Sequence, residues 1–362
     1  MTRLLLTCDP VGGVWQYATD LAAALVPHGV EPILATLGPP PSAAQRGSLV
    51  DGVRLVETGL PLDWVAGSSR DAMKAGVALA RLADRVQADI VQLNAPSLAA
   101  GASFSQPVVT VAHSCVGTWW QAVKGGRADP DMAWRIELTR SGLRAADRVV
   151  CPSGAFATAL QHCYQLPSTP TVVRNGRRPA EVSPRPIEDH ALTAGRLWDA
   201  GKNLRALDEA ASLLSVPLRA AGAIRGPHGE QIVLRHVRQL GTLDDQSLAD
   251  ALACRPVFVS AAVYEPFGLA VLEAAQAGCA LVLSDIPTFR ELWDGAARFV
   301  YPHDATGFAR AIEDLIADGD LRAQLGAAAQ RRSQDYTTAR MAAGMLALYG
   351  ALPAPSPELA AA

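Results

Sequence analysis

Two glutamates in the second half of the chain have a spacing that could hold an extended ligand. Glu265 and Glu273 belong to the segment Ser260-Ala-Ala-Val-Tyr-Glu-Pro-Phe-Gly-Leu-Ala-Val-Leu-Glu-Ala-Ala-Gln-Ala-Gly278. A strand ending at Ser260 leads into a turn, and Pro266 favours a helix directly after it. Eight helical residues rise about 12 Å, so the carboxylates can hold two hydroxyl-bearing groups but not one atom. The free N–H groups between them suit an anion, although an ordinary helix with a first-turn and a solvated glutamate would look the same.

Two cations occupy a similar position after an earlier strand. Arg196 and Lys202 lie in Thr193-Ala-Gly-Arg-Leu-Trp-Asp-Ala-Gly-Lys-Asn203, where a strand is expected to leave the sheet and a helix to start. At such a crevice they could neutralise a diphosphate leaving group, with Asn203 as a helix cap. The alternative is that both are surface cations on a loop.

The first half of the chain carries weaker signals. Gly12 and Gly13 connect the first strand to the first helix and would let the backbone approach a ligand closely, although Gly-x-Gly-x-x-Gly is absent. His113 ends a strand, where it could be a structural hydrogen-bonding group or a ligand contact.

The segment Ser114–Arg127 is interpreted as a loop. Its Trp119 and Trp120 could stack on a sugar or meet lipid, or be buried under the helix that follows. The Asp129-Pro-Asp131 sequence is interpreted as a turn, and no metal site is expected.

Short apolar segments alternate with amphipathic ones along the whole chain, which predicts parallel sheets covered by helices. The expected strands are Leu4–Cys8, Glu31–Thr36, Ile90–Leu93, Val108–Ala112, Arg148–Cys151, Thr171–Arg174, His190–Thr193, Leu218–Ala221, Gln239–Leu240, Pro256–Ser260, Ala280–Leu283 and Ala297–Val300. The expected helices are Val14–His28, Arg70–Gln87, Ala133–Ala146, Asn203–Leu214, Asp244–Ala253, Leu269–Ala277, Ala305–Asp318 and Thr337–Leu348.

Two such series in succession predict an α/β protein with two Rossmann-like, doubly wound domains. We expect an N-terminal domain over 1–178, a C-terminal domain over 188–336, and a helix at about 337–350 that packs back toward the first domain. Prolines interrupt the pattern between the domains, and the tail 353–362 is expected to be disordered.

Composition excludes several classes of protein. The chain has 362 residues, 49% of them hydrophobic and 19% charged, with a formal net charge of −3. This balance is typical of a globular protein, gives no reason to expect a nucleic-acid partner, and allows at most weak membrane association. The first apolar segment ends at Asp9-Pro10, which is too short for a signal peptide, and six scattered cysteines suggest reduced thiols. We therefore expect a cytoplasmic location.

The Glu265-to-Glu273 segment resembles the Glu-x7-Glu motif of retaining glycosyltransferases of family 4, which have the GT-B fold of two domains facing across a cleft. Ser284-Asp-Ile-Pro-Thr-Phe-Arg-Glu291 is also similar to that family. The resemblance implies that Glu273 holds the ribose of a nucleotide sugar and that Glu265 contacts the transferred sugar. It also implies that backbone amides of Phe267, Gly268 and Leu269 approach the sugar and diphosphate.

The same resemblance assigns further roles. Arg196 and Lys202 match the family's leaving-group clamp, His113 matches a histidine that contacts the donor sugar, and Gly13 belongs to the glycine loop. The chain departs from the family's frequent Gly-Gly-x-Gly form, which leaves the roles of Trp15 and Gln16 open; either could contact the acceptor. The loop Ser114–Arg127, with Trp119 and Trp120, is expected on the acceptor side.

The expected function is transfer of a hexose from a UDP- or GDP-sugar to an acceptor hydroxyl, with retention of configuration and without a metal or other cofactor. The acceptor would be a sugar, a small molecule or a lipid-linked group. Two alternatives remain open at this stage: a sugar-nucleotide 2-epimerase of similar fold, and a non-catalytic glycan- or nucleotide-binding relative.

Overall fold

The computed structural model describes residues 1–183 and 185–352. The chain forms two compact units. Within the described residues, the first contains 1–121, 125–176 and 338–352, and the second contains Ala122–Lys124 and Arg177–Thr337. The segment 353–362, expected to be disordered, lies outside the described residues.

The first unit is built on a parallel sheet with strand order β3-β2-β1-β4-β5-β6-β7. Its strands are β1 Thr2–Cys8, β2 Val30–Leu37, β3 Arg54–Leu60, β4 Ile90–Leu93, β5 Val108–Val111, β6 Arg148–Cys151 and β7 Thr171–Val172. The helices that precede the second unit along the chain are α1 Gly13–Leu25, α2 Ala43–Gly47, α3 Ser69–Arg85, α4 Val116–Val123, α5 Pro130–Ala145 and α6 Gly154–Tyr164.

The second unit has a parallel sheet with strand order β10-β9-β8-β11-β12-β13. Its strands are β8 Ala191–Ala194, β9 Leu218–Ala221, β10 Arg238–Gly241, β11 Val257–Ser260, β12 Leu281–Ser284 and β13 Arg298–Val300. Its helices are α7 Leu204–Ala211, α8 Asp245–Ala253, α9 Leu269–Gln276, α10 Pro287–Trp293, α11 Ala305–Ala317 and α12 Gly319–Ser333.

The last helix, α13 (Thr338–Gly350), follows the second unit in sequence but packs in the first. Its Met341 and Met345 share a buried cluster with Leu21 of α1 and Leu6 of β1. A helix whose apolar face is covered in this way is stabilised mainly by that packing rather than by its own propensity. The first unit is therefore completed by residues from the far end of the chain.

The predicted fold class is confirmed, because both units are doubly wound α/β structures with reversed strand order on either side of their first strand. Several elements were not predicted. The strand β3 lies at the edge of its sheet, and its sequence mixes charged and polar residues with apolar ones. The helices α6, α10 and α12 were also missed. The segment expected to be a loop, Ser114–Arg127, contains the helix α4.

Two other observations concern the chain's chemistry and environment. The six cysteines all lie within the described residues and form no disulfide bond, and burial raises the pKa of the Cys8 thiol to about 12. In the described part of the chain, none of the helices combines the length and the apolar character that crossing a bilayer requires.

Candidate active site

Two loops of the second unit bring a cation and a carboxylate together. The first loop follows β8 and contains Lys202, and the second follows β11 and contains Glu265. The Lys202 ammonium group donates a hydrogen bond to Glu265 Oε2, and both side chains are mostly buried. The sequence placed these residues in separate motifs, 63 positions apart, and the structure joins them into one site.

Backbone contacts fasten the two loops to each other. Gly201 forms part of a short 3-10 turn, Ala200–Lys202, and its carbonyl accepts hydrogen bonds from the N–H groups of Val263 and Tyr264, at 2.9 and 3.3 Å. Because backbone atoms make these bonds, the meeting of Lys202 and Glu265 does not depend on their side chains alone.

Asn203 contributes to this fastening in a way the sequence did not predict. It is the N-cap residue of α7, as expected, but its side chain makes no capping hydrogen bond. Its side-chain amide instead donates to the carbonyls of Ala261, at 3.0 Å, and Pro302, at 2.7 Å. Its backbone is left-handed, with φ of 54°, a conformation that asparagine tolerates better than most residues. Asn203 therefore ties the first loop to two other strand ends.

Arg196 lies in the same loop as Lys202 and is also paired with a carboxylate. Its guanidinium group is 3.1 Å from Asp199 Oδ2 and lies over the ring of Trp198. Asp199 is buried, and its other oxygen accepts a hydrogen bond from Gly201 N–H at 2.8 Å. The Arg196 side chain is 48% exposed, so its head can reach a ligand while Asp199 stays fixed by the turn.

The helix α9 starts where the sequence placed it. Gly268 is its N-cap residue, with φ of 94°, and has no side chain that could cap the first turn. The first N–H groups of α9, beginning at Leu269, are thus left for another acceptor. Phe267 is buried, and its ring packs edge-to-face on Tyr336, so only its backbone is suited to contact a ligand.

Glu273, inside α9, is bound by a residue that sequence analysis did not single out. Arg177 Nε is 2.7 Å from Glu273 Oε1, and a second guanidinium nitrogen is 3.2 Å from Asp245 Oδ2. The Arg177 backbone is held as well, because its N–H donates to the carbonyl of Tyr336 and its own carbonyl accepts from Gln276. The only signal in the sequence was the basic pair after Asn-Gly at the expected domain boundary.

Glycines line the carboxyl ends of the strands beside these loops. Gly195 N–H donates to Ala221 carbonyl, and Gly222 N–H donates to Gly241 carbonyl at 2.7 Å. A Cβ at Gly222, whose φ is 141°, would lie 1.8 Å from the Gly195 carbonyl oxygen. Only glycine allows this approach, and the result is a strand edge at which backbone rather than side chains is presented.

In the first unit, the loop between β1 and α1 contains both expected glycines, and they are exposed. Gly12 adopts φ of 118° at the N-cap of α1, and Gly13 is the first helical residue. The predicted acceptor contact of Trp15 is wrong, because its side chain is 3% exposed and packs in the core of the unit. Gln16 is half-buried on the same helix.

His113 lies just beyond β5, at the carboxyl edge of the first sheet. Its Nε2 is 3.2 Å from Asn94 Oδ1, and its ring meets the ring of Tyr17 edge-to-face at 4.3 Å. Burial lowers the pKa of His113 to about 3, so the imidazole is neutral at pH 7. A neutral histidine at this edge can orient a ligand through a hydrogen bond, but it has no positive charge to attract an anion.

The two tryptophans proposed for the acceptor side lie on α4. Trp119 and Trp120 are half-buried and pack edge-to-face with their ring centroids 6.3 Å apart.

Asp129 does not belong to a turn as expected, because it is the N-cap residue of α5, with Pro130 at the first helical position. Within the described residues, no three His, Cys, Asp or Glu side chains form a cluster that could hold a metal ion.

Comparison with known proteins agrees with this fold. Residues 11–181 match the family model described as Glycosyltransferase Family 4, and residues 188–318 match the model described as Glycosyl transferases group 1. A phosphatidyl-myo-inositol mannosyltransferase from Mycolicibacterium smegmatis is 26% identical over 94% of this chain and 90% of that protein. An alpha-maltose-1-phosphate synthase from the same organism is 27% identical over 68% of this chain and 73% of the synthase.

Solved structures show the same architecture. Sucrose-phosphate synthase from Thermosynechococcus elongatus superposes with a TM-score of 0.79 at 19% identity, covering 97% of this chain and 98% of that chain. HepE from Anabaena, in complex with UDP-glucose, superposes with a TM-score of 0.73 at 18% identity, covering 97% of this chain and 100% of HepE.

The two Rossmann-like units have the GT-B fold of these solved structures, and the matches to the two family models make the chain a glycosyltransferase. More particularly, the chain belongs to glycosyltransferase family 4.

Proposed function

We propose that this enzyme transfers a hexose from a UDP- or GDP-sugar to an acceptor hydroxyl, with retention of configuration and without a metal ion. The contact between Lys202 and Glu265 at the start of α9 is the observation that carries the proposal. It places a cation, a carboxylate and the free N–H groups of a helix at one strand edge. A sugar diphosphate carries hydroxyl groups beside its negative charge, so these protein groups are suited to bind it.

In this proposal the cations act on the leaving group. As the bond between the anomeric carbon and the phosphate oxygen breaks, negative charge grows on that oxygen, and Lys202 and Arg196 stabilise it electrostatically. The N–H groups at Phe267, Gly268 and Leu269 contact the diphosphate. Because two side-chain cations already lie here, the proposed mechanism does not require a metal to neutralise the pyrophosphate.

The remaining groups hold the two ends of the donor and the acceptor. Glu265 accepts hydrogen bonds from hydroxyls of the transferred sugar, and Glu273 accepts them from the ribose. His113 and Gly13 are proposed as further donor contacts. Gln16, Trp119 and Trp120 are proposed to contact the acceptor, for which a sugar, a small molecule or a lipid-linked group is suited.

We further propose that the acceptor hydroxyl attacks from the face that the phosphate leaves. The bond from the anomeric carbon to the acceptor oxygen forms as the bond to the phosphate oxygen breaks, and the acceptor proton passes to that phosphate oxygen. The same-face attack therefore needs no enzyme nucleophile, and the proton transfer needs no enzyme base. The relatives support a donor of this class, since one is named as a mannosyltransferase and the HepE structure contains UDP-glucose.

The test is a donor screen with product analysis. UDP-glucose, UDP-galactose, UDP-N-acetylglucosamine and GDP-mannose are incubated with the enzyme in EDTA, with water or added sugars as acceptor. We expect nucleotide release from at least one donor and an α-configured product in early NMR spectra. A β-configured first product would contradict retention, and loss of turnover in EDTA that Mg²⁺ restores would contradict metal independence.

A further inference from the structure

A chain of buried polar side chains runs through the first unit. The Tyr349 hydroxyl, on α13, donates a hydrogen bond to Gln92 Oε1 on β4. The Gln92 amide nitrogen donates to Asn94 Oδ1 at 3.0 Å and to the Tyr17 hydroxyl at 3.3 Å. All four side chains are buried, where polar groups require partners, so each bond constrains the next.

The orientation of Asn94 is fixed by Thr7. Asn94 Nδ2 lies 2.5 Å from the Thr7 carbonyl oxygen, and the Asn94 backbone N–H donates to Thr7 Oγ1 at 2.8 Å. A carbonyl oxygen can only accept, so the side-chain nitrogen must face Thr7 and Oδ1 must face away. The assignment of the amide therefore follows from its partners.

This orientation determines the protonation of His113. Asn94 Oδ1 accepts from Gln92 and lies 3.2 Å from His113 Nε2. Because Oδ1 cannot donate, Nε2 must carry the proton of this hydrogen bond. The low pKa of His113 means that the ring holds only one proton at pH 7, which leaves Nδ1 unprotonated. Among the described residues, Nδ1 has no hydrogen-bond partner.

We propose that Tyr349, Gln92 and Asn94 are positioning residues that hold His113 as the Nε2–H tautomer, so that Nδ1 accepts a hydrogen bond from a sugar hydroxyl of the substrate. The ring of Tyr17, 4.3 Å away, restricts rotation of the imidazole further. The opposite tautomer would present an N–H donor at the same place and would not favour a hydroxyl that donates.

This inference rests on the proposed function for its substrate, but its first test does not. The enzyme is labelled with ¹⁵N-histidine, and long-range ¹H–¹⁵N spectra report which ring nitrogen of each histidine is protonated. His113→Gln identifies the His113 signals. We expect the Nε2–H tautomer to predominate at pH 7, and a predominant Nδ1–H tautomer would overturn the proposal whatever the enzyme's activity.

The second test disrupts the network at its two ends. Asn94→Leu removes the acceptor for Nε2, and Tyr349→Phe removes only the hydroxyl that anchors Gln92. We expect both variants to shift the His113 signals toward a mixture of tautomers, with the larger change in Asn94→Leu. Should Asn94→Leu fail to fold, Tyr349→Phe, which keeps its ring in the core, decides the question.

Tyr336→Phe is the matched control. The buried Tyr336 hydroxyl donates to the Leu292 carbonyl at 2.8 Å in the second unit, so this variant also loses one buried tyrosine hydrogen bond. We expect Tyr336→Phe to lower the melting temperature about as much as Tyr349→Phe without changing the His113 spectrum. An equal spectral change in both would show that general destabilisation, not the network, moves His113.

Kinetics with UDP-glucose and GDP-mannose complete the test. A misplaced orienting group can cost up to about 100-fold in rate, so kcat of Asn94→Leu should fall by that order while KM changes little. Unchanged kcat with a changed tautomer would contradict the role toward substrate. If wild-type enzyme turns over none of the screened donors, the proposed function fails, while the spectra still decide whether the network fixes the tautomer.

Discussion

Glu265 and Glu273, both in the second unit, are each paired with one basic residue, but the two pairs are built differently. Their exposure is similar: the side chains of Lys202 and Glu265 are 21% and 14% exposed, and those of Arg177 and Glu273 are 13% and 21% exposed. Burial therefore does not distinguish the pairs. The difference lies in how many other bonds hold each cation.

Lys202 has a compact charge on a flexible stem, and its ammonium can turn from Glu265 to another anion without breaking the backbone contacts of its loop. Arg177 is held by its planar fork to both Glu273 and Asp245 and by its backbone to Tyr336 and Gln276. The comparison suggests one pair that can exchange partners during a reaction and one that keeps its carboxylate oriented. Four variants test this interpretation.

The largest effect is expected from Lys202→Ala. Loss of one electrostatic contact to a charge that develops in the transition state costs about 100- to 1,000-fold in kcat. Affinity for UDP or GDP, measured by calorimetry, should change much less, and Lys202→Arg should retain part of the activity. Turnover equal to wild type in Lys202→Ala would remove this residue from the mechanism.

Glu273→Gln is expected to act on binding instead. Hydrogen bonds to a charged group contribute about 1.5–3 kcal/mol, so affinity for UDP or GDP should fall about 10- to 100-fold. At saturating donor, kcat should remain close to wild type because the ribose is remote from the bond that breaks. Unaltered nucleotide affinity would show that Glu273 does not contact the ribose.

Asn203→Ala tests the anchoring of the first pair. The variant leaves the carbonyls of Ala261 and Pro302 without their donor and places alanine at a positive φ. Carbonyl groups that lose their hydrogen-bond donor in this way lower the unfolding free energy by about 1–3 kcal/mol, which urea denaturation measures. We also expect a lower kcat, and a variant with wild-type stability would mean that the loops do not depend on Asn203.

Arg177→Met should have the smallest effect. The variant keeps most of the apolar stem but removes the ion pair between Arg177 and Glu273. We expect nucleotide affinity to fall by less than about tenfold, since one ordinary hydrogen bond contributes about 1 kcal/mol. Asp245→Asn is the control, because Asp245 is 70% exposed and its ion pair should contribute little. A rise in affinity in Arg177→Met would show that Arg177 competes with the nucleotide.

The sequence predicted strands best where both faces of the sheet are covered. Ile90–Leu93 and Arg148–Cys151 agree with the structure at both ends, because short apolar segments mark them clearly. The strand β3 was missed because an edge strand is exposed on one side and its segment, Arg54–Leu60, contains charged and polar residues.

The candidate site was predictable in its residue types but not in its pairings. Local motifs identified Lys202 and Glu265, yet their contact joins two loops that only the sheet brings together. Arg177 was missed because its partner Glu273 lies 96 positions away. Asn203 was correctly placed at the start of α7, but its side chain does not cap the helix because it binds two distant carbonyls, and such competition is not visible in local sequence.

The position of α13 has a consequence for how the polypeptide is made. The chain leaves the first unit after Gly176 and returns to it only at Thr338. During synthesis the amino-terminal half must therefore leave the ribosome with part of its apolar surface uncovered, and it stays so until the last helix emerges. A fragment that stops at Gly176 would lack Met341, Met345 and Tyr349, so expressing the helix as a separate peptide should improve the fragment's solubility.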